Sequence, residues 1–330
     1  MRTNSAVEPT LFTALLGRLY GAHQTILASK IEEYLMTINP KDPAHAYATM
    51  THIAVVSDGL LHAHAVAVRD TRMPDVLLLG HVECDEGDEA PALLFTAVHD
   101  IAKQYDVHAI VGPVDRSLWR SFRTPLSGDG APFYSEPFSR QSVGAAFLAN
   151  GYTVVQTSET TRARIPKDVA LSNPDGIACT RVSAPDYPQV LADIHRIISR
   201  SFADTPFFIA ITLAEFHFLF TARDKAAERT QLYVARRGDD VVGFLLAYRS
   251  PEAEPPGVVA KTMAILPEFR QKGIGRALFG CLYRDALAEG FENVYYSTMR
   301  TDNTDIQLLT AYNGETAVQV RTYGVFMKTL

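Results

Sequence analysis

The glycine-containing segment from Arg270 to Gly275 has the residue types and spacing of an anion-binding loop. It follows an apolar stretch, Val258–Ile265, and leads into an amphipathic stretch, Gly275–Glu289, so it should join a strand to a helix. Glycines let the backbone approach a ligand closely, and the N–H groups at a helix start attract anions. Three basic residues add positive charge at the same point: Arg270, Lys272 and Arg276. The amides from Gln271 to Arg276 therefore suit a pyrophosphate.

Two common phosphate-binding loops are excluded by the same residues. The pattern GxxxxGK(S/T) is absent, which rules out a Walker A loop. The dinucleotide pattern GxGxxG is broken because Arg276-Ala277-Leu278 follows Gly273 and Gly275. A pair of glycines could also serve only to pack the start of a helix. The preceding strand and the Pro267-Glu268-Phe269-Arg270 turn favour anion binding instead.

Because of this loop and the strand and helix that flank it, residues 181–330 resemble the GNAT superfamily of acyl-CoA N-acyltransferases. The family's signature, R/Q-x-x-G-x-G/A, is matched by Arg270 to Gly275. The resemblance implies that pantetheine lies along the strand ending Met263-Ala264-Ile265 and pairs with its backbone as an added strand would. It also implies that the strand around Tyr296–Thr298 diverges and opens a slot for the thioester. The residues expected to contact an acyl-CoA are Met263, Ala264, Ile265, Arg270, Gln271, Lys272, Gly273, Ile274, Gly275, Arg276 and Asn303.

The order of predicted elements occurs twice along the chain. Each half has a helical entry, a hairpin, a third strand, a long helix, a further strand, a short helix and terminal strands. This predicts an α/β (α+β) fold of two GNAT-like domains, each a mixed, mostly antiparallel sheet flanked by helices. We expect an N-terminal domain over residues 1–165, a linker over 166–175 and a C-terminal domain over 176–330.

The N-terminal half lacks the glycine signature. Where the loop would be, it carries four acidic residues that would repel a pyrophosphate: Asp85, Glu86, Asp88 and Glu89. The stretches Val111–Trp119 and Arg321–Phe326 are similar to a tandem-GNAT subgroup in which only the second half is able to bind CoA. We therefore expect the first domain to be a degenerate copy that helps to shape the acceptor cleft.

Acyl transfer to an amine requires a proton acceptor, donors for the oxyanion and a stabilised leaving thiolate. The family often places a glutamate base on the strand before the loop, but that strand offers only Lys261 and Thr262 here. Glu215, His217 and Asp204 lie in a helical region expected to border the acceptor site. Glu215 is the candidate base among them, and the alternative for each of the three is a structural or solvated side chain. The backbone amide near Ile265 is the expected oxyanion donor.

The family's usual leaving-group acid is a tyrosine on the short helix after the asparagine. Counted from Asn303, that position falls on Thr310, and Tyr312 lies about 200° further round a helix. Tyr312 is the candidate acid only if a local irregularity turns it back. Thiolates leave readily, so an enzyme can also work without such an acid.

The acceptor site is predicted from the long segment 115–137, which has little periodicity. Arg116, Trp119 and Tyr134 in this segment could form a pocket for an acidic or aromatic group, with Thr298 in the slot. A solvated loop anchored by a buried tryptophan explains the same residues. His62 and His64 face one side of a strand, but no third ligand is evident, so no metal is predicted.

Composition, charge and cysteine spacing limit the binding partners, the cysteine chemistry and the location that we expect. The chain has 330 residues and a net charge of −6, which disfavours nonspecific binding to nucleic acid or to anionic membranes. The cysteines, at positions 84, 179 and 281, lack the spacing of a disulfide framework or a zinc site. The sequence shows neither a membrane-spanning stretch nor a signal-peptide pattern, so we expect a cytoplasmic protein.

The sequence thus predicts an N-acyltransferase that moves an acyl group, in the first instance acetyl, from a CoA thioester to an amine of a small molecule. The reaction is expected to be a direct transfer in a ternary complex, without a metal. Three alternatives stay open. The donor could be an acyl-carrier protein, the protein could be a non-catalytic CoA-binding or sensing module, or the glycine loop could be a packing device.

Overall fold

The computed structural model describes residues 2–3, 9–87, 89–128, 132–168, 174–222, 228–302 and 317–330. Contacts within the chain divide it into two compact units. Unit 1 comprises Met1–Ser127, Pro137–Thr157 and Tyr323–Leu330, and unit 2 comprises Gly128–Glu136 and Ser158–Thr322. Each unit therefore includes a segment from the other half of the sequence. The linear boundaries at residues 165 and 176 stay a prediction.

Regular structure in the first half comprises β1 (Arg2–Thr3), α1 (Pro9–Tyr20), α2 (Gln24–Thr37), β2 (Ala48–Ser57), β3 (Leu60–Asp70), β4 (Val76–Cys84), α3 (Glu89–Gln104), β5 (Ala109–Gly112), β6 (Thr124–Ser127), α4 (Gln141–Ala149) and β7 (Thr153–Arg164). The second half contains β8 (Ala178–Val182), α5 (Tyr187–Ser201), α6 (Leu213–Ala222), β9 (Thr230–Arg237), β10 (Asp240–Ser250), β11 (Gly257–Ile265), α7 (Ile274–Ala288), β12 (Asn293–Arg300) and β13 (Val318–Thr329). Short 3₁₀ turns cover Pro43–Ala46, Ala184–Asp186 and Pro267–Phe269.

The strands of unit 1 follow the order β1-β2-β3-β4-β5-β13. All neighbours in this series are antiparallel except β4 and β5, which are parallel. Helix α3 buries Leu94, Phe95 and Val98 in the core of the unit, together with Phe147 of α4 and Phe326 of β13. These side chains are fully buried, so the unit has a core of its own.

Unit 2 repeats this pattern with the order β8-β9-β10-β11-β12-β7. Its neighbours are antiparallel except β11 and β12, which are parallel. In each unit a helix, α3 or α7, connects the two parallel strands. Each sheet is mixed, mostly antiparallel and flanked by helices, so the predicted α/β (α+β) class is confirmed.

Helix α7 is held in unit 2 by an apolar stripe with helical spacing. Leu278, Leu282 and Ala286 recur every four residues and have no exposed surface. The helix begins after Gly273, which has φ of +80°, and Gly290, with φ of +86°, follows its end. A left-handed residue next to a helix end favours glycine. The two glycines therefore fix where α7 starts and stops, and with it the position of the loop in front of it.

Candidate functional site

Strands β11 and β12 separate part-way along their length. Their parallel pairs run from Val258↔Val294 to Ala260↔Tyr296. Beyond that last pair β11 continues to Ile265, whereas β12 continues to Arg300 beside β7. The divergence expected around Tyr296–Thr298 is thus present, and we call the opening between the two strands the unit 2 fork.

Backbone groups of β11 face the unit 2 fork beyond the last pair. The N–H of Leu266 donates to the carbonyl of Val242, 2.9 Å away, so this N–H points toward β10. Successive residues of a strand direct their backbone groups to alternate edges. The N–H groups of Met263 and Ile265 therefore point to the opposite edge, into the fork. The carbonyl of Ile265 accepts bonds from the Ser201 hydroxyl, at 3.1 Å, and the Arg270 guanidinium, at 3.3 Å.

A β-bulge lies where the unit 2 fork opens. Leu246 pairs with Thr262 and Ala247 pairs with Ala260, so Lys261 is an extra residue in β11. A bulge redirects a side chain relative to the regular alternation. The Lys261 ammonium donates to the backbone carbonyl of Ser135 at 2.7 Å. The bulge therefore places a positive charge beside the fork.

The loop after β11 ends at the N-terminus of α7. Gln271 and Gly273 have φ of +58° and +80°, which turn the chain into the helix. The first N–H groups of an α-helix have no acceptor within it, and they carry a partial positive charge. A Cβ built at Gly275 would lie 3.4 Å from the Met263 Cε atom, in van der Waals contact, so α7 and β11 pack against each other at this point.

Three exposed basic side chains surround this helix start: Arg270, Lys272 and Arg276. In addition to its bond to Ile265, Arg270 donates to the carbonyl of Ser201 at 3.4 Å. Lys272 donates to the carbonyl of Glu268 at 2.9 Å and lies 5.1 Å from the centroid of the Phe269 ring. Helix N–H groups and exposed cations of this kind have the chemistry to hold an anion with several negative charges.

The segment 132–136 of unit 2 is attached to the strands next to the fork. The N–H of Tyr134 donates to the Ser250 hydroxyl at 2.9 Å, and the Tyr134 ring lies 5.2 Å from that of Tyr248. Phe133 packs against Tyr295 with the ring centroids 5.6 Å apart. We call this segment the wall, because it carries the Ser135 carbonyl that Lys261 contacts.

Comparison with known proteins identifies the family to which a large part of unit 2 is similar. Residues 192–310 match the model of the acetyltransferase (GNAT) family. The chain carries a GNAT domain. A comparison with the curated proteins finds no match.

Solved structures show a tandem GNAT fold over nearly the whole chain. A tandem GNAT protein from the clavulanic acid biosynthesis pathway has a TM-score of 0.65 at 11% identity, covering 99% of this chain and 97% of its own. A probable N-acyltransferase of unknown function from Enterococcus faecalis V583 has a TM-score of 0.62 at 11% identity, covering 99% and 72%. A GCN5-related N-acetyltransferase from Sphaerobacter thermophilus has a TM-score of 0.54 at 16% identity, covering 99% and 95%.

Glu215, the candidate base of the GNAT domain, caps a helix. Its carboxylate accepts the N–H of Thr212 at 2.7 Å, and the Thr212 hydroxyl accepts the N–H of Glu215 at 3.2 Å. This reciprocal arrangement is a capping box at the start of α6. Glu215 is 2% exposed, so its carboxylate is committed to the helix end. A role as base stays a prediction.

The other predicted residues lie in different places. Arg116 belongs to unit 1, where its guanidinium donates to the Asp42 carboxylate at 2.6 Å and is buried. Trp119 also belongs to unit 1 and is half-buried. Thr298 lies in unit 2 with φ of +52°, at an irregularity in the pairing of β12 with β7. Asn303 and Tyr312 lie outside the described residues.

Sequence reasoning missed several residues that support the site. Ser201 holds the Ile265 carbonyl from α5, and Ser250 holds the wall from β10. A lone serine carries no local signal for either task. Among the described residues, no group of histidine, cysteine or acidic side chains could hold a metal ion. No described helix is long and apolar enough to cross a membrane.

Unit 1 has a corresponding fork between β4 and β5, which we call the unit 1 fork. Their last parallel pair joins Leu78 to Val111, and the chain's own Asp115 carboxyl lies beyond it. The N–H of His81 donates to this carboxyl at 2.7 Å. A Cβ built at Gly80 would lie 2.6 Å from the same oxygen, so the group is tightly enclosed. Burial raises the pKa of Asp115 to about 6.

Further charges fill the surroundings of the unit 1 fork. The Glu83 carboxylate contacts the Lys30 ammonium at 2.5 Å and the Tyr20 hydroxyl at 2.7 Å. Where unit 2 has its glycine loop, unit 1 continues from β4 into Asp85 and Glu86. Its fork thus holds a side chain of the protein, and its loop carries charges that repel phosphate.

Proposed function

We propose that unit 2 transfers an acyl group, in the first instance acetyl, from a CoA thioester to an amine of a small-molecule acceptor. The observation that carries this proposal is the position of the anion-binding loop directly after the strand that borders the unit 2 fork. One ligand with a pyrophosphate at one end and an extended arm at the other would match both features. Members of the GNAT family use acyl-CoA as the acyl donor, and acyl-CoA has that shape.

The residues of the loop fit the pyrophosphate. The amides from Gln271 to Arg276 would donate to its oxygens, and Gly273 and Gly275 leave the backbone open to close approach. Arg270, Lys272 and Arg276 would add charge at the surface, where a flexible cation can turn from a backbone carbonyl to a phosphate.

The residues of β11 fit the extended arm. The N–H groups of Met263 and Ile265 face the fork, and Ala264 lies between them, so an amide-bearing chain could pair with this edge. The Ile265 N–H is our proposed donor to the oxyanion that forms when the amine attacks. Asn303 and Tyr312 keep their predicted roles beside the CoA arm and the leaving thiolate.

The acceptor amine would approach past the wall. Tyr134 would supply an aromatic surface there, and Thr298 a hydroxyl beside the fork. The acceptor role of Arg116 and Trp119 stays a prediction from the sequence. The reaction would be a direct transfer in a ternary complex, in which the amine attacks the thioester carbon and the thiolate leaves.

An initial-rate assay tests the proposal. Purified protein is mixed with acetyl-CoA and a panel of primary amines, and thiol release is followed together with the mass of the acylated amine. We expect turnover with at least one amine and intersecting double-reciprocal lines, as a ternary complex requires. Binding of CoA without turnover across the panel would favour the sensing module. Absence of CoA binding would favour an acyl-carrier protein as donor.

A further inference from the structure

Lys261 is the first residue of β11 beyond the last parallel pair with β12. That pair joins Ala260 to Tyr296, so Lys261 lies at the closed end of the unit 2 fork. It is also the extra residue of the β-bulge, and its side chain is partly buried. The chain therefore carries an amine of its own at the point where the two strands part.

The direction of β11 determines which end of a bound acyl-CoA would reach this point. The strand runs from Lys261 at the closed end of the fork to Ile265 at the open end, and the anion-binding loop follows Ile265. A ligand whose pyrophosphate is held by the loop would lay its arm back along Ile265 and Met263. The stretch from Lys261 to Ile265 is about 13 Å long at 3.3 Å per residue, which an extended pantetheine arm can cover. The thioester would then lie beside Lys261.

The backbone of the wall holds the Lys261 ammonium in place. The ammonium donates to the Ser135 carbonyl at 2.7 Å. The wall is attached to β10 in turn, because the N–H of Tyr134 donates to the Ser250 hydroxyl at 2.9 Å. In the proposed function the acceptor amine approaches past this wall. Lys261 thus presents an amine in the region that the acceptor amine would enter.

We propose that Lys261 is a self-modification site, at which the protein acylates its own side chain when acyl-CoA is bound and no acceptor is present. This inference rests on the proposed function and adds a second acceptor to it. The ammonium first loses one proton to water. The Nζ atom then attacks the thioester carbon, so a C–N bond forms and the C–S bond breaks, and the second proton passes to the CoA thiolate. The product is an amide, which is stable and is not an intermediate on the way to the acceptor.

Two other lysines show why position 261 would be acylated selectively. Lys272 lies in the anion-binding loop, at the pyrophosphate end of the ligand and away from the acyl group. Lys103 lies on α3 of unit 1, and its side chain is 74% exposed. Holding an amine next to a thioester raises the rate of their reaction, because the two groups need not meet by diffusion. Lys261 has this advantage over both of the other lysines.

Peptide mapping by mass spectrometry tests the inference. The protein is incubated with acetyl-CoA without any added amine, and the gain of one acetyl group is followed with time at Lys261, Lys272 and Lys103. The incubation is repeated with Lys261→Arg, which keeps the positive charge, and with Gly273→Glu and Gly290→Glu, which place a glutamate at the start of α7 and after its end. Calorimetric titration with acetyl-CoA is carried out on each protein.

We expect Lys261 to be acetylated about 100-fold faster than Lys103 or Lys272 at saturating acetyl-CoA. Gly273→Glu should lower the rate at Lys261 to that of Lys103, whereas Gly290→Glu should leave it unchanged. The intact mass of Lys261→Arg should show no fast acetylation.

Two results would overturn the inference and leave the proposed function standing. One is equal acetylation rates at Lys261 and Lys103 in a protein that binds acetyl-CoA. The other is fast acetylation of Lys261 that persists in Gly273→Glu after binding of acetyl-CoA is lost. Absence of acetyl-CoA binding in the original protein would instead overturn the proposed function, and this inference with it.

Discussion

The Arg321 guanidinium and the Glu136 carboxylate form an ion pair in which the side chains are 2% and 0% exposed. Glu136 also accepts the N–H of Phe133 at 3.2 Å, and Arg321 donates to the carbonyl of Gly128 at 3.4 Å. The pair ties the wall to β13 within unit 2. The wall keeps its position beside the fork because this buried pair and the Ser250 contact hold it from two strands.

Breaking that pair should destabilise unit 2. Glu136→Gln and Arg321→Met should each lower the free energy of unfolding by about 3 to 5 kcal/mol, since each leaves a buried charge without its partner. The double variant should recover much of the loss. Urea unfolding followed by circular dichroism measures the change. Arg164→Met is the control, because the Arg164–Glu292 pair is 66% and 64% exposed and should contribute little. A Glu136→Gln protein as stable as the original would contradict the account.

Glu215 can be tested by separating capping from catalysis. Glu215→Gln keeps an oxygen that can accept the Thr212 N–H, so we expect it to retain most of the stability and the activity. Glu215→Ala and Thr212→Ala should each lower the free energy of unfolding by about 1 kcal/mol, because each removes the capping box. Turnover and urea unfolding are measured on all three variants. A fall in kcat of about 100-fold or more in Glu215→Gln, with unchanged stability, would instead identify a general base.

Asp115 should make the stability of unit 1 depend on pH. Burial raises its pKa to about 6, above the value near 3.9 of an unfolded chain. The folded state therefore holds the Asp115 proton more tightly than the unfolded state does. The stability that this proton contributes is fully present below about pH 4 and is lost as pH rises through about 6. The free energy of unfolding of Asp115→Asn, relative to that of the original protein, should rise by about 2 to 3 kcal/mol between pH 4 and pH 7.5. Urea unfolding of both proteins at pH 4 and pH 7.5 measures this change. A difference in unfolding free energy that is the same at both pH values would refute the prediction.

Local patterns were enough to predict the loop and the elements around it. Gly273 and Gly275 sit between an apolar strand and an amphipathic helix, and every feature of that signal lies within a short stretch of sequence. The divergence of β12 followed from the family resemblance. The acidic residues after β4 likewise predict, without a structure, that unit 1 would repel a pyrophosphate at this position.

The remaining features depend on contacts between distant residues. His81 and Asp115 are 34 positions apart, and Glu136 and Arg321 are 185 apart. The bulge at Lys261 adds one residue to a strand without changing its composition. Polar residues interrupt the segment Thr153–Arg164, yet it forms the single strand β7. Pairing with neighbouring strands, which no local pattern reports, keeps it continuous.

The most direct test of the account is calorimetric titration with acetyl-CoA of the original protein, Gly273→Glu and Gly290→Glu. Both glycines have positive φ, at +80° and +86°, so each substitution strains one end of α7, but only residue 273 lies in the anion-binding loop. We predict dissociation constants on the order of micromolar for the original protein and for Gly290→Glu, and no detectable binding for Gly273→Glu. Equal binding by all three proteins, or none by the original, would contradict the assignment of the loop to CoA.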